Sequence, residues 1–145
     1  MWQLEKLLSG DPAPGIYRYA GKEHPADLRE DLAVFGWELF YLDGRSVRDK
    51  QSFLQAAGAA MDLPAYTGKN WDAFEEVIRD LDTEYTEGYV LLFEYPGNFA
   101  ADAPGDWATA KSILQDACRF WTGEGRPFYV LLRRVDRGMR EIPML

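Results

Sequence analysis

The chain has 145 residues, of which 47% are hydrophobic, which is enough for one globular domain with an ordinary core. No apolar run reaches the roughly 18–20 residues of a membrane-spanning helix, and the first residues lack the basic, apolar and small-residue order of a secretory signal peptide, so we expect a soluble, cytoplasmic protein without a membrane partner. The net charge of −8 argues against nucleic-acid binding through phosphate contacts and is compatible with a basic partner.

Two short elements are predicted before Trp37. Residues 15–19 alternate between apolar and polar side chains, as a short half-buried strand does, and they suit the edge of a sheet. Residues 27–34 carry the apolar spacing of a short helix. We therefore expect residues 1–36 to form an N-terminal extension that packs on a main domain of residues 37–145.

In the main domain, three β-prone runs alternate with segments of helical periodicity. The predicted strands span residues 37–42, 89–94 and 128–133. The predicted helices lie near residues 49–61, 70–82 and 106–121. The last two strands are almost wholly apolar, as strands buried on both faces are. This alternation predicts an α/β unit of two or three layers, with a small three-stranded parallel sheet, packed helices and right-handed crossovers.

The predicted helix at residues 70–82 has two contrasting faces. Asn70 is suited to cap its N-terminus. Its apolar residues recur at spacings of three and four, which predicts one buried stripe of Trp71, Phe74, Ile78 and Leu81. The stretch from Asp62 to Glu94 contains nine acidic and two basic residues, a net charge of −7. The opposite face is therefore strongly acidic, which is compatible either with a simple solvated face or with a binding surface.

Residue patterns typical of catalysis or metal binding are absent from the sequence. The single cysteine, Cys118, lies within a predicted helix and favours a core role, and the single histidine, His24, lies in a polar loop. No glycine-rich phosphate loop is present. Asp72 and Glu76 could form a carboxylate pair on one helix face, but their polar surroundings disfavour acid–base catalysis. We expect no metal, no cofactor and no enzymatic activity.

Residues 63–74 read Leu-Pro-Ala-Tyr-Thr-Gly-Lys-Asn-Trp-Asp-Ala-Phe. This stretch resembles the signature of the barstar family of intracellular ribonuclease inhibitors, in which Leu-Pro, an aromatic residue, Gly, Asn, an apolar residue, Asp and Ala lead into the second helix. Residues 40–44 are similar to the family's first strand and turn, and the other two apolar runs lie where its remaining strands belong. The resemblance covers about residues 37–134 and implies the barstar-like fold.

The resemblance also implies a function. Barstar-like proteins block a ribonuclease active site with the second helix and the loop before it, and their acidic groups take the place of RNA phosphates. The implied partner is a basic ribonuclease or another basic toxin protein, and the protein would be an antitoxin or immunity protein, monomeric when free. The partner-binding residues that it implies are Tyr66, Thr67, Gly68, Asn70, Asp72, Ala73, Glu75 and Glu76.

Five of these positions match positions of the family pattern. Tyr66 matches the aromatic residue that packs against the enzyme, Asp72 the first inhibitory aspartate, and Glu76 the second and most important one. Gly68 and Asn70 match the loop and the cap. Two departures alter the expected contacts, because Glu75 stands where the family has a tryptophan and Lys111 aligns with a contact glutamate of the last helix.

Structural roles compete with these contacts. Gly68 could serve only to give the loop a positive φ, Asn70 only to cap the helix, and Asp72 only to interact with the helix dipole. The alternative function is a barstar-fold binding module with a partner that is not a ribonuclease. A hydrolase using Asp72 and Glu76 is the weakest of the three hypotheses.

Overall fold

The computed structural model describes residues 2–136 and 138–145. Within them, four parallel strands form one sheet in the order β1-β4-β3-β2. The strands are β1 (Ile16–Tyr19), β2 (Trp37–Asp43), β3 (Gly88–Glu94) and β4 (Phe128–Arg133). The helices are α1 (Leu4–Ser9), α2 (Pro25–Ala33), α3 (Lys50–Ala60), α4 (Trp71–Ile78), α5 (Gly97–Asp102) and α6 (Pro104–Gly123). Two 3₁₀ turns, Gly44–Ser46 and Ala65–Lys69, follow β2 and precede α4.

The sheet has four strands, whereas the sequence predicted three. The three predicted strands and their parallel pairing are confirmed, each within one residue of its predicted end. The additional strand is β1, which pairs with β4 from Ile16 opposite Val130 to Tyr19 opposite Arg133. Because β1 is short and only its first and last residues are buried, its alternation alone could suggest an edge strand but could not identify its neighbour.

Both faces of the sheet are covered, which makes the molecule three-layered. Tyr89, Leu91 and Phe93 of β3 point into a core shared with α3, α4, α5 and α6. Val90 and Leu92 point to the other face, where a second core forms. The first elements supply much of that second core, together with the C-terminal residue: Trp2, Leu4, Leu7, Leu28, Leu32 and Leu145. The N-terminal elements thus cover a face of the sheet that would otherwise meet water.

The helix that carries the acidic face ends earlier than its periodicity predicts. α4 ends at Ile78, and its last turn tightens, since the backbone N–H groups of Arg79 and Asp80 bond three residues back. Val77, which the predicted stripe omitted, is buried with Phe74 and Ile78, whereas Trp71 and Leu81 are only half-buried. The short helix α5 was not predicted, and its buried Phe99 stacks on Phe53 at 5.1 Å.

Candidate protein-binding face

The turn before α4 is held by a hydrogen bond from α3, by a hydrogen bond of its own and by burial. The side-chain amide of Gln51 donates to the carbonyl of Gly68 at 3.0 Å, and the N–H of Thr67 donates to the carbonyl of Pro64 at 2.9 Å. Thr67 is fully buried, so it anchors the turn and offers no surface to a partner. Gly68 does not have a positive φ, so that explanation for its presence was wrong; its carbonyl is used to join the turn to α3.

Asn70 caps α4 as its position predicts. It adopts an extended backbone, and its Oδ1 accepts a hydrogen bond from the N–H of Ala73 at 2.8 Å. Ala73 itself is half-buried. The cap fixes where α4 begins, and therefore which way Asp72 and Glu76 point.

The exposed side of α4 is a shallow hollow of about 470 Å³ lined by Asp72, Glu75, Glu76 and Arg79. Glu75 forms a salt bridge with Arg79 one turn later. Asp72 and Glu76 are exposed, and neither forms a salt bridge within the part of the chain that the structure describes. The face therefore presents two unpaired carboxylates one helical turn apart, beside a carboxylate that is already paired.

Tyr66 lies on the turn and is half exposed. It lines a different hollow, of about 360 Å³, which α4 also borders through Val77. We call this second hollow the acidic groove. Its five acidic residues are Glu38, Asp62, Asp80, Asp82 and Glu84, and no basic residue lines it. Tyr66 thus belongs to the acidic groove, while Asp72 and Glu76 belong to the neighbouring face of the same helix.

Burial and neighbouring charges shift the pKa of one carboxyl group in the acidic groove. Burial and the negative charge of Asp82 raise the pKa of Glu38, an effect that Arg29 opposes. The sequence identified this acidic stretch from its charge count, but it could not place Glu38 there, because Glu38 comes from β2, more than twenty residues earlier in the chain.

Lys111, the second departure from the family pattern, is directed to the C-terminal segment. Its side chain is 27% exposed, and its Nζ lies 3.8 Å from Oε1 of Glu141. Glu141 lies outside the region of resemblance. The lysine charge is therefore balanced locally by a residue that the family comparison did not include.

The single cysteine, Cys118, and the single histidine, His24, both have structural roles. Cys118 is buried in α6, and burial raises the pKa of its thiol to about 12. His24 caps α2 by accepting a hydrogen bond from the N–H of Ala26 at its Nδ1. Among residues 2–136 and 138–145, no group of three or more potential metal ligands occurs, and no helix is long and apolar enough to cross a bilayer.

Solved structures with a similar fold include two of the Aeropyrum pernix ORC2 protein. The chain matches the ADPNP–ADP complexes with a TM-score of 0.58 and 14% identity, and the ADP form with a TM-score of 0.61 and 12% identity. In both, 90% of this chain is covered, but the match spans only 37% and 38% of the other chain. At this level of identity the likeness concerns the fold alone.

No curated protein matches the chain. The model of the family described as "Barstar (barnase inhibitor)" matches residues 37–133, a range that begins with β2 and ends with β4. It contains the turn, its Asn70 cap and the acidic face of α4. The chain belongs to the Barstar (barnase inhibitor) family.

Proposed function

We propose that the protein is a barstar-like inhibitor of a basic ribonuclease, of the antitoxin or immunity type, which blocks the enzyme's active site with α4 and the turn before it. The observation that carries the proposal is the pair of exposed carboxylates, Asp72 and Glu76, that stand one turn apart without a salt bridge in the described chain. Membership of the Barstar family supports it.

The charges explain how such a face would act. A ribonuclease active site binds the phosphates of RNA through cationic side chains, and a carboxylate forms the same charge-assisted hydrogen bonds with them. The net charge of −7 between Asp62 and Glu94 would accelerate encounter with a basic protein, while the ion pairs that become buried would slow dissociation.

The contact residues differ in what each can contribute. Asp72 and Glu76 would supply the charged contacts, and Tyr66, half exposed beside the acidic groove, would pack an aromatic ring on the enzyme. Gly68, Asn70 and Ala73 would act mainly through the shape of the turn and the start of α4. We further propose that the protein acts in the cytoplasm, has no catalytic activity of its own and is monomeric until it meets its partner.

The pairing of Glu75 with Arg79 favours a second candidate function, that of a barstar-fold binding module whose partner is not a ribonuclease. Glu75 occupies the position of the family's tryptophan, and its salt bridge with Arg79 places a cation on the face that would meet a basic enzyme. A like charge at an interface disfavours a partner with cations at that place. The two candidates differ only in the partner.

An inhibition assay with barnase and a second basic ribonuclease tests the proposed function. We expect stoichiometric inhibition of RNA cleavage that is lost in the Asp72→Asn, Glu76→Gln double variant. Asp116→Asn is the matched control, because Asp116 is a carboxylate on α6 that pairs with Arg119. Unimpaired cleavage with both enzymes in excess inhibitor would reject ribonuclease inhibition and leave the binding-module function.

A further inference from the structure

A basic hollow of about 520 Å³ opens at the carboxyl ends of the strands, and it shares no residue with the acidic groove or with the exposed face of α4. Its cationic lining residues are Lys22, Arg29, Arg45, Arg133 and Arg134. In open parallel sheets, ligands bind in the crevice outside the carboxyl ends of the strands. The basic hollow occupies that position.

Its charge is opposite to that of the molecule. Five cationic side chains line it, against the two carboxylates of Glu23 and Glu94, although the whole chain has a net charge of −8. Cations concentrated in one concave place, in a protein that is otherwise acidic, produce a local positive potential that attracts a small anion. A large polyanion such as RNA would meet the negative remainder of the surface.

The floor of the basic hollow is a buried network of hydrogen bonds. Arg133 and Glu94 are 3% and 4% exposed, and the Nε of Arg133 donates to Oε2 of Glu94 at 2.8 Å. The hydroxyl of Tyr41 donates to Oε1 at 2.5 Å, and Nη1 of Arg133 donates to the carbonyl of Glu23 at 2.7 Å. Both carboxylate oxygens of Glu94 therefore accept hydrogen bonds, and its pair with Arg133 holds the ends of β3 and β4 side by side.

The residues that directly follow β3 and β4 have a strained backbone conformation. Tyr95 and Arg134, the first residues after β3 and β4, have φ values of 55° and 56°, in the left-handed region that side chains other than glycine seldom adopt. The ring of Tyr95 lies 5.4 Å from the guanidinium of Arg45 and 6.0 Å from that of Arg134. Strain of this kind concentrates at ligand-binding sites, where the surrounding structure maintains it.

Several donors at the rim remain unused. The Nε of Arg134 donates a hydrogen bond to Oε2 of Glu94 at 3.1 Å. Within the described chain, the two terminal nitrogens of Arg134 have no hydrogen-bond partner. Lys22 forms no salt bridge among the same residues, and Arg29 makes only a long contact of 3.5 Å with the carbonyl of Leu39. The N-terminus of α2, capped by His24, opens on the same hollow and adds its positive dipole end.

From this arrangement we propose that the basic hollow binds a small molecule bearing a phosphate monoester, with the phosphate held by Arg134, Arg29 and Lys22 and a flat organic group lying against Tyr95 and His24. A phosphate dianion is preferred to a carboxylate because the five cations still exceed the carboxylates by two when Asp43, which pairs with Arg45, is counted with Glu23 and Glu94, and because the guanidinium fork matches phosphate oxygens. This site is independent of the proposed ribonuclease inhibition.

Calorimetric titration of the full chain with phenyl phosphate, inorganic phosphate, benzoate and a short single-stranded RNA tests the proposal. We expect phenyl phosphate to bind more tightly than the other three probes. Arg134→Gln and Arg29→Gln should each weaken it about tenfold, as the loss of one charge-assisted hydrogen bond does. Both arginines are exposed, so the variants should fold, which circular dichroism checks.

Arg119→Gln is the matched control, because Arg119 is an exposed arginine of α6 outside the hollow, and its phenyl phosphate affinity should equal that of the unmodified chain. Absence of phenyl phosphate binding would overturn the site. Equal affinity for benzoate would overturn the choice of phosphate, and tighter binding of RNA would overturn the choice of a small molecule. An equal loss in the Arg119 variant would show that only the general charge matters, which also rejects the site.

Discussion

The indole nitrogen of Trp121 donates a hydrogen bond of 2.9 Å to the carbonyl of Ile78, and this bond joins α6 to the end of α4 on the same face of the sheet. In a longer helix, the Ile78 carbonyl would accept from a backbone N–H four residues later. The indole takes that place, so α4 can end at Ile78 without leaving its carbonyl buried and unpaired. α6 therefore supplies the hydrogen bond that satisfies the last carbonyl of the acidic helix.

Replacement of Trp121 by Phe should lower the free energy of unfolding by about 1–3 kcal/mol, because the Ile78 carbonyl loses its partner while remaining buried. Urea denaturation measures the change as a lower midpoint. Trp107→Phe is the control for ring size on the same helix, since Trp107 is also buried in this core. Equal losses in the two variants would mean that packing, rather than the hydrogen bond, accounts for the effect.

The parts of the fold that could be predicted are those determined by local pattern. The sequence predicts β3 and β4 because strands buried on both faces need a continuous apolar run. It predicts the cap because Asn is a favoured residue at a helix N-cap, where Asn70 lies. The end of α4 could not be predicted, since the Trp121 indole comes from 43 residues further along the chain. The same reason applies to β1, whose partner strand lies more than 100 residues away.

The candidate sites differ in the same way. Asp72 and Glu76 are four residues apart, so helical periodicity alone places them on one face. The basic hollow draws Tyr41, Glu94 and Arg133 from the C-terminal parts of three strands, and Lys22 from the segment after β1. No spacing in the sequence joins these residues.

The N-terminal elements should be as important for stability as the family domain. Leu32 of α2 is fully buried against the second face of the sheet. We expect Leu32→Ala to cost about 2–5 kcal/mol, the range for a buried leucine, and to lower the midpoint of a single unfolding transition. Leu114→Ala in α6 is the matched control for the first core. A separate, earlier transition in the Leu32 variant would show that residues 1–36 unfold independently.

The buried pair of Glu94 and Arg133 should make stability depend on acid. Burial tends to raise the pKa of Glu94, but hydrogen bonds from Tyr41 and Arg133 and the charges of Arg133 and Arg134 outweigh it, so the pKa lies below the ordinary value. The folded state therefore holds this proton less readily than the unfolded state, and the stabilisation is complete above the unfolded pKa and lost as the pH falls through the folded one.

Glu94→Gln should consequently lower the free energy of unfolding at neutral pH by about 3–5 kcal/mol, because Arg133 stays buried without its counter-charge. The difference between the variant and the unmodified chain should shrink below about pH 4, where the unfolded carboxyl is protonated. Urea titrations at several pH values measure both. A difference that stays constant from neutral pH to pH 3 would contradict the assigned pKa shift.

Cys118 should be unreactive in the folded protein. Its thiol is buried, and burial raises its pKa to about 12, so the nucleophilic thiolate is scarce at neutral pH. We expect a thiol reagent such as DTNB to modify it at pH 8 only after the chain is unfolded in guanidinium chloride. Complete reaction within seconds in the native state would mean that α6 opens readily.

The acidic helix gives the most direct test of the proposed interface. If a basic ribonuclease binds α4, Glu76→Ala should leave the enzyme's cations buried and unpaired, which costs about 2–5 kcal/mol and appears mainly as faster dissociation. Asp82→Ala removes an exposed acid beyond the end of α4, so it should mainly slow association, and added salt should mask that effect. Surface plasmon resonance on both variants at low and high salt separates the two rates. Small and equal effects would mean that α4 is only a solvated face and that the partner binds elsewhere.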